Sequence, residues 1–155
     1  MSLASSKSVA LQPGEGYSLS FWGQNLTFKV RGQDTGGAYA IFEFTLPAHL
    51  PAPPLHLHTN CDECVYILEG VLKLQLDGRE VILGPGGFAV AFKGTVHTLW
   101  NGGNVPVRVM TTLSPTIFEG YYSELAELAA SLPSGPPPRE RMPEISERYG
   151  VVYPP

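Results

Sequence analysis

The sequence predicts an all-β fold, an antiparallel sandwich or barrel with a helical extension at its C-terminus. Between residues 21 and 113, many short apolar or alternating segments follow one another without an intervening helical repeat. Glycine and proline are frequent, with 17 and 15 residues, and they separate these segments as turn signals. A helical repeat of apolar residues begins only after residue 114. We therefore expect one domain spanning 1–155, with a barrel core at about 21–113 and a helical, proline-rich tail at 114–155.

The composition excludes several classes of partner. The hydrophobic fraction of 43% and the charged fraction of 15% are typical of a globular protein. A net charge of -4 provides no basic surface for nucleic acid or anionic lipid. No apolar run approaches the roughly 20 residues that cross a bilayer, and the first residues lack the apolar segment of an export signal. We expect a cytoplasmic protein that binds neither nucleic acid nor membranes.

The predicted strands follow in order from alternation and from turn residues. Residues 21–31 alternate between apolar and polar side chains, and 38–46 form a strongly apolar strand. In the second strand, either the odd-numbered residues from Tyr39 to Thr45 or the even-numbered residues from Ala40 to Leu46 face the interior. The Asp77-Gly78 pair predicts a tight hairpin. The remaining strands are expected at 65–69, 71–76, 80–83, 88–92, 97–100 and 105–113.

Candidate metal ligands stand in the middle of the barrel core. A proline-rich, stiff connector at 47–54 precedes them. His56 and His58 are two residues apart in an extended segment, so both imidazoles project from the same face. A short turn leads to Glu63, and His97 follows in a later strand. Three imidazoles and a carboxylate suit one first-row divalent metal, which could be Fe, Mn, Ni, Cu or Zn.

Two motifs in this region resemble those of the cupin superfamily. The first cupin motif has His-x-His followed by Glu and then Gly, and here it reads His56-x-His58, four residues, Glu63, six residues, Gly70. The second motif here reads Gly86, five residues, Phe92-Lys93-Gly94, two residues, His97, three residues, Asn101. Phe92 stands where the family usually has proline, and Leu50 stands where a glycine commonly precedes the first motif.

The resemblance covers roughly residues 36–113 and implies both a fold and a ligand set. The implied fold is the antiparallel double-stranded β-helix, the jelly-roll barrel of cupins. The implied ligands of a single metal ion are His56, His58, Glu63 and His97. The whole chain, including the helix after the last strand, looks like small single-domain cupins of the quercetin-dioxygenase-like group.

Two cysteines beside these histidines suggest a competing interpretation. Cys61-x-x-Cys64 next to His56-x-His58 has the composition of a structural zinc site. Strand parity argues against it, because Cys64 points outward if Glu63 points inward. We therefore expect two free thiols outside the metal site, with a redox pair as the alternative. Replacing either thiol by serine is expected to leave metal binding nearly unchanged.

The interior around the metal is predicted to be a mostly apolar pocket for a small organic molecule. Val65 and Ile67 share the parity of Glu63, and Leu99 shares that of His97. Val90 and Phe92 complete the predicted lining, although the strand rule only places these two together and leaves their face open.

The leading hypothesis for function is a metal-dependent dioxygenase-like enzyme that acts on a small organic substrate, with aromatic compounds among the candidates. Glu63 is the candidate catalytic residue, because a ligand carboxylate that is partly released can accept a proton. One alternative is a metal-dependent isomerase, epimerase or lyase, for which Glu43 is the obvious internal acid or base. A non-catalytic module that binds a small ligand is the other alternative.

The C-terminal third is predicted to be helical and then extended. Thr116-x-x-Glu119 has the form of a capping box, and apolar residues then recur at helical spacing over 117–132. Residues 133–142 are expected to be an extended linker, 143–149 a short helix, and 151–153 an edge segment that docks on the barrel.

A homodimer is expected, because a small barrel leaves sheet edges that pairing or covering protects. The first strand region and the outward residues Cys64, Tyr66 and Leu68 are available for such contacts.

Overall fold

The computed structural model describes residues 8–132 and 134–155. Its strands are β1 (Tyr17–Phe21), β2 (Gln24–Val30), β3 (Ala40–Leu46), β4 (Leu57–His58), β5 (Asp62–Glu69), β6 (Leu72–Leu76), β7 (Arg79–Leu83), β8 (Phe88–Ala91), β9 (His97–Trp100), β10 (Val107–Ser114) and β11 (Val151–Val152). Its helices are α1 (Glu119–Ser131) and α2 (Met142–Arg148), with short 3-10 turns at Gly32–Asp34 and Thr116–Phe118.

The strands form antiparallel sheets that enclose one core. The largest sheet has the order β1-β2-β3-β10-β5-β8, a smaller one has the order β7-β6-β9, and β11 pairs with β4. An antiparallel bridge between His56, which directly precedes β4, and His97, the first residue of β9, also joins these two segments. Buried residues from both larger sheets form a single hydrophobic cluster. The predicted fold class is confirmed: the chain is an all-β, antiparallel double-stranded β-helix, or jelly-roll barrel, with a C-terminal helical extension.

The packing of β3 decides between the two parities left open by its sequence. Its even-numbered residues are buried, and the ring of Phe42 lies 4.9 Å from that of Phe28, its partner on the adjacent strand β2. Glu43 lies on the opposite face, where its carboxylate pairs with Lys29 at 3.7 Å and with Arg108 at 3.1 Å. The placement of Glu43 as an internal acid or base is therefore wrong, because burying the aromatic face directs this carboxylate outward.

Turn residues fix the connections between strands. Asp77 and Gly78 have left-handed φ values of 47° and 76°, and Leu76 pairs with Arg79 across them, so the predicted hairpin is confirmed. Gly70, the last residue of the first motif, has a φ of 81°. A Cβ atom at this position would lie 2.8 Å from the carbonyl oxygen of Pro106, so the fold requires glycine here.

The first C-terminal helix begins slightly later than predicted and has no capping box. Residues 116–118 form a 3-10 turn, and α1 starts at Glu119. The Glu119 carboxylate accepts hydrogen bonds from Arg31 Nε at 2.9 Å and from the Gly32 N–H at 2.7 Å. It is therefore used to tie α1 to the N-terminal region rather than to cap its own helix. The buried face of α1, which includes Tyr122, packs on the core, where the ring of Tyr122 stacks on that of Phe21 at 6.2 Å.

The end of the chain returns to the segment that carries the first two histidines. Val151 pairs with His58, and Val152 pairs with Leu57. The predicted docking of this segment is thus confirmed for residues 151–152. Neither α1 nor α2, the helices within residues 8–132 and 134–155, is long and apolar enough to cross a bilayer.

Candidate metal centre

Backbone pairing brings the three histidines of the two motifs together. The His56 N–H donates to the carbonyl of His97 at 3.1 Å, and the His97 N–H donates to the carbonyl of His56 at 2.8 Å. This reciprocal pair places the two imidazole rings 4.6 Å apart between centroids. The ring of His58 lies 5.1 Å from that of His97. One ligand atom from each of these histidines lies within 4.8 Å of the other two.

Glu63 approaches two of these histidines from β5. Its Oε2 lies 3.3 Å from His58 Nε2 and 3.4 Å from His97 Nε2. Two donors bound to one ion at about 2.1 Å lie about 3.0–3.4 Å apart when their bond angle is about 90–109°. The spacing between Glu63 and its two neighbours is therefore that of adjacent ligands on one metal ion.

The hydrogen bonds of the rings leave nitrogen lone pairs directed at this point. Nδ1 of His56 lies 2.9 Å from the Pro54 carbonyl oxygen, and Nδ1 of His97 lies 2.8 Å from that of Thr95. A carbonyl only accepts, so both Nδ1 atoms carry the hydrogen and both Nε2 atoms are free to bind a metal. Nε2 of His58 and of His97 are buried and have no hydrogen-bond partner. Such atoms are costly unless a ligand satisfies them, and a metal ion fits that requirement.

The charges also suit a divalent cation. Burial lowers the pKa of His58 to about 4 and also lowers the pKa of His56, so both rings are neutral and able to coordinate at pH 7. Burial opposes ionisation of Glu63, but its close contact with His97 Nε2 and the nearby imidazoles prevail and lower its pKa to about 2. Burial likewise opposes protonation of His97, but the contact with the Glu63 carboxylate raises its pKa. The site thus presents an ionised carboxylate beside two neutral rings, those of His56 and His58, and a metal ion would compete with a proton at His97.

An apolar cavity of about 10 Å³ adjoins Glu63 and His97. Its other lining residues form the aliphatic side of the centre: Val65, Leu74, Leu76, Ala89, Ala91 and Leu99. They come from β5, β6, β8 and β9, whose inner faces meet here. The volume holds about one water molecule, so any larger ligand must displace side chains or enter from another direction.

The predicted lining agrees with this cavity only in part. Val65 and Leu99 line it. Ile67 is fully buried further along β5, where its backbone pairs with the Gly86–Gly87 turn. The structure corrects the expected positions of Val90 and Phe92, because Val90 pairs with the outward-facing Cys64 and Phe92 is 61% exposed.

The residues of β8 that reach the cavity were not identified from the sequence. Ala91 lies opposite Glu63 in the ladder, and Ala89 lies opposite Val65. Both therefore share the inward parity of β5. The alternation of small and large residues over 88–92 is a signal for this, because two large aromatic side chains at Phe88 and Phe92 leave little room beside four ligands.

The opposite side of the centre is aromatic. The ring of Phe118 meets that of His58 edge-on, with centroids 4.3 Å apart, and Tyr121 stacks on Phe118 at 4.7 Å. The ring of Tyr153 lies 6.3 Å from that of His56, and its hydroxyl hydrogen-bonds with Ser146 Oγ at 2.8 Å. We call Phe118, Tyr121 and Tyr153 the aromatic side. All three come from the C-terminal segment, whose contact with the ligands was not predicted.

Cys64 points away from the histidines, as strand parity predicts, and the two cysteines do not form a zinc site with them. Cys64 is half-buried and lies opposite Val90 and Thr112 on the outer face of the large sheet. Cys61 is 1% exposed, and its Sγ lies 3.5 Å from Nδ1 of His58. Both thiols are free. The expectation that neither thiol touches the metal site is therefore wrong for Cys61.

Asn101, the last residue of the second motif, holds the connector that leads to the histidines. Its buried amide donates to the carbonyls of Leu46, Pro47 and Val105 at 3.2, 3.0 and 2.8 Å. Thr98 adds a hydrogen bond from its hydroxyl to the Pro53 carbonyl at 2.8 Å. Proline lacks a donor for a ladder, so side chains supply the hydrogen bonds that orient this segment.

Comparison with known proteins identifies the family. Residues 42–113 match the Cupin domain family, and this range includes both motifs and the four candidate ligands. The protein contains a cupin domain. This cupin is 36% identical over 90 residues to quercetin 2,3-dioxygenase from Bacillus subtilis, a match that covers 57% of this chain and 26% of the relative.

Two further comparisons bear on the cupin and its fold. It is 37% identical over 60 residues to the tetracenomycin polyketide synthase protein TcmJ from Streptomyces glaucescens, covering 39% of this chain and 40% of that protein. The cupin therefore spans well under half the length of either curated relative in these matches. The solved structure of KdgF from a Halomonas species superimposes with a TM-score of 0.60 at 17% identity, covering 70% of this chain and 94% of that one.

Proposed function

We propose that this cupin is a metal-dependent, dioxygenase-like enzyme that acts on a small organic substrate. The observation that supports this most directly is the convergence of Glu63 Oε2 with two buried, unpartnered imidazole nitrogens beside an apolar cavity. The proposed ligands are His56, His58, Glu63 and His97. A bound redox-active metal would polarise a substrate oxygen and exchange electrons with dioxygen.

The protein contributes geometry and exclusion of water to this chemistry. Hydrogen bonds from Nδ1 of His56 and His97 to backbone carbonyls hold these rings with Nε2 inward. Aliphatic neighbours such as Val65 and Leu99 lower the local dielectric, which favours a weakly charged organic substrate over a phosphorylated one. Glu63 Oε2, which would also hold the metal, is proposed to accept the proton of a substrate hydroxyl.

The similarity to quercetin 2,3-dioxygenase supports the oxidative chemistry, since the aligned 90 residues exceed the length of the matched cupin domain. We propose a planar phenolic compound as the first substrate class to examine. The cavity of about 10 Å³ does not hold such a compound, so the aliphatic side must yield or the compound must approach along the aromatic side.

A second candidate is a metal-dependent reaction without oxygen, such as an isomerisation or an elimination. The similarity to a polyketide synthase protein favours this candidate. Such chemistry uses an acid and a base in addition to the metal. Glu43 does not supply either one, because it pairs with Lys29 and Arg108 on the outer face.

Oxygen uptake separates the two candidates. The protein is loaded anaerobically with Fe(II), Mn(II), Ni(II), Cu(II) or Zn(II), and oxygen consumption and product are measured with a panel of flavonols and simpler phenols. We expect consumption with at least one redox-active metal and none with zinc. Glu63→Gln is expected to abolish it, whereas Glu69→Gln, on the same strand but 63% exposed, is expected to retain it. Equal product formation under anaerobic conditions contradicts the oxygenase and favours the second candidate.

The cytosol is the proposed location, since it keeps thiols reduced and both cysteines are free.

A further inference from the structure

His58 differs from the other two histidines in the partner of its second ring nitrogen. Nδ1 of His56 and Nδ1 of His97 face backbone carbonyls, which accept hydrogen bonds but cannot donate them. Nδ1 of His58 faces the thiol of Cys61 at 3.5 Å. A thiol both donates and accepts, so it satisfies Nδ1 whether or not that atom carries the hydrogen.

Both tautomers of His58 therefore have partners in the metal-free protein. With the hydrogen on Nε2, the ring can donate to Glu63 Oε2 at 3.3 Å while the Cys61 thiol donates to Nδ1. With the hydrogen on Nδ1, the ring donates to Cys61 Sγ and presents a bare Nε2 to the site. Only the second tautomer can bind a metal through Nε2.

We propose that Cys61 is a positioning residue that stabilises the metal-binding tautomer of His58. This inference rests on the proposed metal site but not on the reaction carried out there. It replaces the expectation from the sequence that Cys61→Ser and Cys64→Ser behave alike.

The packing around His58 leaves Cys61 as the partner of Nδ1 and restricts rotation of the ring. Cys61 is 1% exposed and His58 is 2% exposed, so water does not compete for Nδ1. The edge-on contact with Phe118 at 4.3 Å fixes the plane of the His58 ring. Ring rotation is thereby restricted, and the position of the hydrogen is the freedom that remains. If Cys61 is removed, Nδ1 loses its partner in both tautomers, but the losses differ: the metal-binding tautomer is left with a buried N–H that has no acceptor, whereas the other is left with a bare ring nitrogen and keeps its contact with Glu63. The balance therefore moves toward the tautomer that does not bind a metal.

The test compares Cys61→Ala, Cys61→Ser and the matched control Cys64→Ala, which changes a half-buried thiol on the outer face of the next strand. Zinc affinity is measured by competition with a chelating dye. We expect Cys61→Ala to weaken zinc binding about tenfold, as is typical when a partner of a ligand histidine is lost. Cys64→Ala is expected to match the wild type. Cys61→Ser keeps an oxygen that accepts from Nδ1 and is expected to bind zinc more tightly than Cys61→Ala.

Two further measurements distinguish positioning from packing. Nitrogen-15 NMR of the histidine rings reports the tautomer, and we expect metal-free Cys61→Ala to hold His58 mainly with the hydrogen on Nε2. Thermal unfolding of the same variants ranks their stability. A packing role predicts that zinc affinity follows stability across the variants, whereas a positioning role predicts that the serine variant retains affinity whatever its melting temperature.

The outcomes that overturn the proposal are distinct from failure of the site itself. Equal zinc affinity in Cys61→Ala and Cys64→Ala, or an unchanged His58 tautomer in Cys61→Ala, refutes the role of Cys61. Failure of the wild type to bind zinc or any of the other four metals refutes the metal site, and the inference falls with it.

Discussion

The two sides of the metal centre are built by different parts of the chain and have different properties. The aliphatic side comes from four barrel strands and surrounds a small cavity with short or branched side chains. The aromatic side comes from residues after the barrel, and its ring contacts hold His58 and approach His56. From this difference we propose a division of roles: the aliphatic side controls what reaches the candidate ligands, and the aromatic side controls how firmly they are held.

Removal of a candidate ligand is expected to have the largest effect, because both sides of the centre surround the same ligands. His97→Ala deletes the nitrogen that lies 3.4 Å from Glu63 and the ring beside His56. We expect metal affinity to fall by more than about 100-fold, since even partners of ligands are worth about 10–100-fold. Elemental analysis after dialysis measures the metal content that each variant retains. His49→Ala, an exposed histidine outside the site, is the control, and equal metal content in the two variants would contradict the assignment.

Truncation on the aromatic side should cost stability. Phe118 is 4% exposed and contacts His58, Tyr121 and Tyr122. We expect Phe118→Ala to lower the free energy of unfolding by about 3–5 kcal/mol, as for other buried aromatic residues. Urea denaturation measures this effect. Phe92→Ala, at 61% exposure, is expected to change stability by at most about 0.5 kcal/mol.

Filling the aliphatic side should affect turnover more than metal binding. Ala91 lies opposite Glu63 and lines the cavity. Ala91→Leu is expected to abolish activity if the substrate or dioxygen must enter the cavity. Overpacking by the larger side chain is expected to lower the free energy of unfolding by about 1–3 kcal/mol. Metal content should remain near that of the wild type. Val90→Leu changes the other face of the same strand and should leave turnover intact; equal losses in both variants would show that the cavity plays no part.

Substitutions on the outer face of β5 and β8 are expected to affect dimerisation but not the candidate metal site. Tyr66 and Phe88 are adjacent in the ladder and are 47% and 58% exposed, and we propose that they lie in a homodimer interface. Light scattering is expected to give about twice the chain mass of 16.8 kDa for the wild type and the single mass for a Tyr66→Arg, Phe88→Arg variant. A monomeric wild type at micromolar concentration contradicts the interface.

The aliphatic side was partly predictable because strand periodicity acts locally. His56 and His58 could be grouped from their spacing, Glu63 joined them through the resemblance to the cupin motif, and Val65 follows from the parity of Glu63. The parity of β8 could not be obtained in this way, since it depends on its register with β5. Sequence alone does not fix the pairing of two strands that are separated by a hairpin.

The aromatic side was not predictable for a different reason. The helical repeat correctly identified an apolar face on α1, but a repeat does not specify the surface on which that face packs. The contact of Phe118 with His58 and the approach of Tyr153 to His56 arise from tertiary docking of residues far apart in the chain. Cys61 shows the same limit at short range. Its distance from His58 depends on how the turn at 59–61 folds back, and this is not a matter of strand parity.

The pairing of β11 with β4 has a consequence for the order in which the protein is completed. His56, His58, Glu63 and His97 all emerge during synthesis before Val151, whose backbone pairs with His58. Until residues 151–152 exist, the short strand that carries His58 has an unpaired edge, and the Gly150 carbonyl that receives the Thr59 N–H at 2.9 Å has not been made. The candidate metal centre therefore gains its final backbone support after translation has passed residue 152. A chain that stops earlier contains every candidate ligand but lacks the strand that pairs with His58.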